Sequence, residues 1–487
     1  MITCSLIIAW FVGLSNFGSN EAQGTDVSGT ISPPGVTWDL AGSPYIVVDD
    51  VWVDEGATLT VEPGVSVKFD GFFGIYVQGN LTAIGTESNR IDFTSNQATP
   101  APGDWDTLYI NGHAEIRYCN ITYGNGGLYL GASSNNNVTD NNISYHSDYG
   151  FSLGGTFNTV NNNTMIENGI FMAGAALENW NTHEIDTSNT VNGKPVYYWK
   201  NKKGGTIPAD AGAVILANCT DITVENLELA GGAYGIQLGY SSHNGIFNNS
   251  ITSHRFGMGL GSSNYNQVAN NNINNNFHGI SVGGSQYNNI DNNTVCSHYA
   301  NGMIISGSDD NNITGNNISD NGGHGIELKS VSERNNIIGN TFLSNDNSGV
   351  RVHPWSVGNI ISRNTIFDSN RGVATLGNTN KIIGNGISYS DYGIYVEAGE
   401  SDISNNTVIN NDYGIYITGK ANNNIYHNNI INNTNQAYDD TIFGNRWDNG
   451  YPYGGNYWSD YDGFDNYSGP GQFEPGPDGI GDTPYYI

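Results

Sequence analysis

The chain repeats itself. A glycine followed by an aliphatic or phenylalanine, one variable residue and usually another aliphatic begins at Gly127, Gly150, Gly235, Gly257, Gly279, Gly302, Gly325, Gly349, Gly372, Gly393 and Gly414. From Gly235 onward the steps are 22, 22, 23, 23, 24, 23, 21 and 21 residues. A second signal lies inside each repeat: two aliphatic positions five apart with Asn between them, as in Ile246/Ile251, Val268/Ile273, Ile313/Ile318 and Ile403/Val408. Helix is excluded, because Asn and Gly interrupt every apolar stretch and no 3.6-residue period survives. A constant period with three short apolar stretches predicts an all-β solenoid, a single-stranded parallel β-helix of about 22 residues per coil. Coils then pair through their backbones about 4.8 Å apart, and equivalent side chains stack, Asn on Asn and Ile on Ile.

Composition fits that architecture. The chain of 487 residues has 73 Asn and 65 Gly but only 13% charged residues. Such bias would suggest disorder, except that 37% of the residues are hydrophobic and 11% aromatic, enough to build a core. The net charge of −30 argues against nucleic acid and against anionic membrane surfaces, which are bound by clustered Lys and Arg. Leu6–Leu14 is a short apolar run that reads as the core of an export signal without its usual basic start. No later run reaches the roughly 18 apolar residues that span a bilayer. Without Cys4, three cysteines remain, Cys119, Cys219 and Cys296, too few for a disulfide framework.

The pattern divides the sequence into a signal segment (1–24), an N-terminal cap with opening coils (25–126), coils (127–173), a hairpin-like insertion (174–212), further coils (213–443) and a C-terminal cap rich in Asp, Tyr and Trp (444–487). The insertion contains Asn192-Gly193, a hairpin turn signal, with Lys194, Lys200, Lys202, Lys203, Trp180 and Trp199 around it. The opening GATLTVEPGVSVKF, the coils rich in NNI and NGGxGI, and the ending GGNYWSDYDGFDNYSGPGQFEPGPDGIGDTPYYI resemble NosD-type right-handed β-helix proteins, and more closely the archaeal cell-surface members of that family. The resemblance implies a right-handed solenoid of the pectin-lyase-like superfamily. It links the family to copper delivery in the periplasm, and related folds to polysaccharides.

Four constellations stand out. The residues before the repeat glycines, Tyr149, Tyr234, Phe256, His278, Asn301, His324, Ser348, Arg371, Tyr392 and Tyr413, stack into a ridge, with Tyr395 and Tyr416 beside it. Flat rings there, together with Trp180 and Trp199, are candidates for carbohydrate binding, against the alternative that they only cover a corner. His254, His278, His298 and His324 precede successive repeat glycines. Their offsets differ and no Met-rich segment accompanies them, which disfavours copper. Asp309, Asp310 and His324 resemble the carboxylate and histidine motifs of polygalacturonases, but 14 residues separate Asp310 from His324, which places them on different sides of a coil. Arg351 is expected to stack over Glu327 as an ion pair. In the tail, Asp460, Asp462, Asp465, Asp478 and Asp482 around Gly suit structural Ca²⁺, or else simply make turns.

These features predict a secreted or cell-surface scaffold, non-catalytic, with a polysaccharide or envelope glycan as partner and no membrane span. A lyase, epimerase or glycoside hydrolase is the alternative, and a NosD-like copper accessory protein the third reading.

Overall fold

The computed structural model describes residues 24–441 and 444–487; Cys4 and the Leu6–Leu14 segment lie outside the described residues. The protein is an all-β parallel solenoid whose only α-helix among the described residues is the single turn Glu178–Asn181. Each coil contributes short strands to three parallel ladders. In one repeat these are Gln267–Ala269, Asn272–Asn274 and His278–Gly283, which pair in register with Asn289–Asp291, Thr294–Cys296 and Met303–Ser306 of the next.

The corners between ladders share one construction. A residue in the left-handed region is followed by a buried polar residue whose side chain points inward. In one corner the left-handed positions are Asn248, Asn270, Asn292, Gly315, Gly339, Arg363, Gly384 and Asn405. The buried residues that follow are Asn249, Asn271, Asn293, Asn316, Asn340, Asn364, Asn385 and Asn406. Asn and Gly predominate at the first position because they tolerate positive φ most cheaply.

The buried amides then satisfy one another. The Asn316 backbone N–H donates to Asn340 Oδ1 at 2.9 Å, and its Nδ2 donates to the same oxygen at 3.0 Å and to the Ile290 carbonyl at 2.9 Å. Its own Oδ1 accepts from the backbone and side chain of Asn293 at 2.9 and 3.0 Å. A parallel row runs through Asn244, Asn266, Asn288, Asn311, Asn335, Asn359 and Asn380. The repeat glycines answer a different constraint. A Cβ on Gly325 would lie 2.6 Å from the Gly349 carbonyl oxygen and 2.7 Å from the Phe342 ring, so the coils close up only where that atom is missing.

Inside, Ile, Val and Leu stack into two cores. One runs from Trp38 to Ala217 and the other from Ile207 to Ile430. They meet at the strand Ala213–Ala217, buried on both faces: Ala213, Ile215 and Ala217 belong to the first core, Val214 and Leu216 to the second. The segment 174–212, read from the sequence as a hairpin-like insertion, contains that hairpin, and several of its strands join the ladders. Glu184–Ile185 and Thr190–Val191 extend existing ladders, and the chain then reverses at Asn192 and Gly193, both at positive φ. Lys194–Lys200 runs antiparallel to Thr190–Val191 and parallel to Ala213–Ala217. The apolar alternation of Val196 and Tyr198, both buried, fits the ladder that Lys194–Lys200 joins. At the other end, Asn445 and Asn456 terminate two amide rows, and Trp447 and Trp458 pack on the last coil.

Replacing Asn316 by Ala leaves the Asn293 backbone donor and the Ile290 carbonyl without their partner. Each orphaned buried group costs about 1–3 kcal/mol. Asn316→Ala is expected to destabilise by about 2–4 kcal/mol, whereas Asn317→Ala, at an exposed position, shifts the denaturant midpoint within about 0.5 kcal/mol. Equal shifts would contradict the role of the amide row.

Candidate functional site on the third ladder

The outer face of the third ladder carries the densest chemistry. Strand alternation sends Ile and Val into the core and turns the residues between them outward. From coil to coil one outward row reads Gln237, Gly259, Ser281, Ile304, Glu327, Arg351, Ala374, Tyr395, Tyr416 and Tyr438. The predicted ridge flanks it.

The ridge forms columns of rings. Tyr149, Phe171, Tyr234, Phe256 and His278 stack with centroid spacings of 4.3, 5.6, 4.8 and 4.9 Å and interplanar angles of 27° or less. Tyr392 stacks on Tyr413 at 5.3 Å, and Tyr395 on Tyr416 on Tyr438 at 5.6 and 4.6 Å. The ladder spacing is also the stacking distance of aromatic rings. Ring faces inside a column therefore meet each other, and the column offers edges and hydroxyls to solvent. Of the two sequence readings, a sugar platform and rings that cover a corner by stacking, the columns match the second in that each ring face is occupied by its neighbour. Phe171, absent from the sequence reading because it follows its glycine, bridges the two parts of the first column.

Trp180 is arranged differently. Its ring lies directly on the bare Cα of Gly239, where a Cβ would meet ring carbons at 2.1 Å. Its Nε1 donates to the Gly174 carbonyl at 3.1 Å. Trp180, Phe171 and Tyr234 wall a slot of about 270 Å³ floored by Gly259, Gly261, Gly283 and Ser281. At the back, Gln237 stitches the two halves of the solenoid: its Nε2 donates to the Ile170 carbonyl at 2.7 Å and its Oε1 accepts from Met172 N–H at 3.0 Å. Trp199 faces a different partner, the Lys202 ammonium 3.2 Å from its ring centroid.

Further along the face lies a cluster that the sequence did not assemble. Glu327 is 8% exposed. It accepts from Lys329 Nζ at 3.2 Å, Asn301 Nδ2 at 2.9 Å and His353 Nε2 at 2.7 Å. Burial would raise its pKa, but Lys329 and His353 outweigh burial and hold the carboxyl below its usual range. Arg351 is in register with Glu327 but does not pair with it, contrary to the sequence expectation. Glu327 is already filled by Lys329, His353 and Asn301, and the Arg351 Nε sits 3.2 Å from His353 Nε2. Arg371 lies over the Tyr395 ring at 4.3 Å. His278 and His324 border the cluster, and burial pushes both down to about 4, so both are neutral at pH 7.

The other sequence candidates lie elsewhere. Asp309 and Asp310 sit at the corner beyond the third ladder, bound by Arg334 at 3.4 and 3.0 Å; His324 sits before that ladder, and the three do not form a site. In the tail, Asp465 accepts from the backbone of Asp478 and Gly479, and Asp482 from that of Asn466 and Tyr467. Asp478 accepts from Ile480 N–H and Asp460 from the Tyr485 hydroxyl. Four of the five tail carboxylates are thus engaged in turns and cap contacts, and no hydrogen bond links Asp462 to them.

The family model described as "Periplasmic copper-binding protein (NosD)" matches residues 189–354 and 343–463, together more than half of the chain. A "Pectate-lyase like beta helix domain" model matches residues 29–145. The chain is 44% identical over 57 residues to "Protein bark beetle" of Drosophila melanogaster, which covers 12% of this chain and 2% of that protein. Similar solved structures include the periplasmic alginate epimerase AlgG, at 13% identity, covering 76% of this chain and 83% of that one with a TM-score of 0.33. The A-module of the Azotobacter vinelandii mannuronan C-5 epimerase AlgE4 shares 16% identity over 83% and 90% of the two chains, with a TM-score of 0.31. A tailspike protein of E. coli bacteriophage HK620 shares 13% identity over 73% and 68%, with a TM-score of 0.30.

The donor set does not fit copper. Copper sites gather imidazole and sulfur ligands around one point, and among the described residues no three His, Cys, Asp or Glu side chains do so. His254 and His298 are corner residues in the same row as Asn276 and Asn321. The His254 N–H donates to Asn276 Oδ1 at 2.9 Å, and Asn276 N–H donates to His298 Nδ1 at 3.1 Å. They stand two coils apart, and the His298 ring accepts from the backbone while the ring nitrogens of His254 are buried without a hydrogen-bond partner.

Burial pushes His254 from 6.5 down to about 4. The unfolded chain takes up a proton that the folded chain refuses between those values. His254 therefore contributes no penalty above about pH 6.5, and stability is lost as pH falls toward 4. His254→Asn, which places a row amide in the same slot, is expected to flatten the fall of the melting midpoint between pH 6.5 and 4. An unchanged pH profile would refute the assignment.

Proposed function

The chain belongs to the NosD family, and from that premise we propose that it is an exported, non-catalytic β-solenoid that holds an extended polysaccharide along the outer face of its third ladder. The family description is periplasmic, the apolar run Leu6–Leu14 suits an export signal, and among the described residues no helix is long and apolar enough to cross a membrane.

The observation that carries the reading is the slot walled by Trp180. Its glycine floor and aromatic walls open onto a ladder face that continues from coil to coil. Serine, tyrosine and amide groups along that face, among them Ser281, Asn301, Tyr392 and Tyr413, offer the hydrogen bonds that sugar hydroxyls need. An extended ligand suits a ladder face that continues along one axis from coil to coil.

A carbohydrate-active enzyme is the second reading, favoured by Glu327 and neutral His324 within a cationic surround. It is the weaker one for hydrolysis, which uses two carboxylates flanking the bond, whereas the cluster holds one, already engaged by three donors.

A glycan array with the full chain, followed by mass spectrometry of bound oligosaccharides, tests both. Binding without cleavage is expected. Trp180→Ala should weaken the affinity at least tenfold, while Tyr265→Ala, in an exposed stack on a different corner, leaves it unchanged. Cleavage products would reject the non-catalytic reading, and equal affinities for the two variants would reject the slot.

A further inference from the structure

The face that the proposed glycan would follow is not electrically neutral, although the chain as a whole carries a net charge of −30. Lys329, Arg351 and Arg371 stand on three consecutive coils of the third ladder. Lys329 is paired with Glu327. Among the described residues neither Arg351 nor Arg371 has a carboxylate within salt-bridge distance, and the buried Arg371 Nε has no hydrogen-bond partner. In a chain with 46 Asp and Glu against 16 Lys and Arg, two guanidinium groups on neighbouring coils without an acid partner call for another source of negative charge.

Both groups are held in place. Arg371 rests on the Tyr395 ring at 4.3 Å, and the Tyr395 hydroxyl is tied to Glu397 Oε1 at 2.6 Å. Arg351 is set beside His353, which Glu327 anchors. A guanidinium fork of this kind matches a carboxylate or sulfate oxygen pair. The acidity of the remaining surface confines the attraction of an anionic chain to this patch. A chain with isolated charges separated by hydroxyl groups can reach Arg351 and Arg371 and still find the tyrosine, asparagine and serine groups around them.

We propose that Arg351 and Arg371 form an anion subsite, so that the polysaccharide this face holds is acidic, bearing a carboxylate or sulfate on its sugar units. The inference rests on the glycan-binding reading above and narrows it to one chemical class. Neutral His324 and His278 border the subsite and add no competing charge.

The test compares polygalacturonate with the same polymer after reduction of its carboxyl groups, using the full chain in affinity electrophoresis at low and high NaCl. The acidic polymer should bind at least tenfold more tightly than the reduced one, and the advantage should shrink as salt screens the contact. In the double variant Arg351→Gln, Arg371→Gln the advantage should vanish while binding of the reduced polymer persists; an unchanged denaturation midpoint shows that the variant is folded. Equal binding of both polymers by the native chain would overturn the anion subsite and leave the glycan reading standing. An acidic preference that survives in the folded double variant would also overturn it. Binding of neither polymer would remove both.

Discussion

The structure depends on how backbone polar groups are satisfied where the chain turns a corner. A coil of three short strands has three corners, and each leaves N–H and C=O groups that no strand can pair. Water cannot reach them, because the corners are packed coil on coil. The buried amides solve this with one residue type: each Asn donates twice and accepts twice, to the backbone and side chain of its neighbours above and below. Ser241, Ser263, Ser285 and Ser308 form a shorter version of the same device, and His146, His254 and His298 are imidazole substitutions in an amide row. An amide row is only as good as its least satisfied member, so corner residues are constrained far more tightly than the turns outside them.

That constraint frees the outer surface. Ladder spacing and inward side chains are set by the core and the corners, and what faces outward can vary from coil to coil. The aromatic columns show how the spacing then governs surface chemistry. Rings one coil apart stack on each other, so a column stiffens the solenoid and exposes edges. Chemistry that needs an open face arises where the repeat is broken. Trp180 comes from the irregular stretch between the two cores and lies across a strip of glycines. The cationic cluster arises differently, where charged residues replace small and apolar ones at neighbouring positions of the third ladder.

The fold was legible because it is a repeat. The glycine steps and the paired aliphatic positions fix coil length, strand count and which side chains stack, and the family resemblance points the same way. The site was less legible for physical reasons. Glu327-x-Lys329 and Arg351-x-His353 lie one coil apart and converge only when the register is known to the residue; even then, the partner that fills Glu327 depends on side-chain reach, and His353 and Lys329 displace the arginine that stacks above it. Phe171 joins the column although its offset from the repeat glycine differs. Trp180 meets Gly239 across 59 residues, with no sequence pattern linking them. In the segment 174–212 the glycines fall out of step, and only Lys194–Lys200, with Val196 and Tyr198 inward, shows the apolar alternation of a ladder strand.

The central claim is that ligand lies on the third ladder and not on the exposed ring stacks of other corners. Hydroxyl-radical footprinting of the full chain, with and without a saturating polysaccharide, tests it most directly. The account predicts protection of Trp180, Tyr395 and Tyr416, with no change at Tyr265, Tyr287 or Tyr299. Protection confined to Tyr265, Tyr287 and Tyr299 would contradict it.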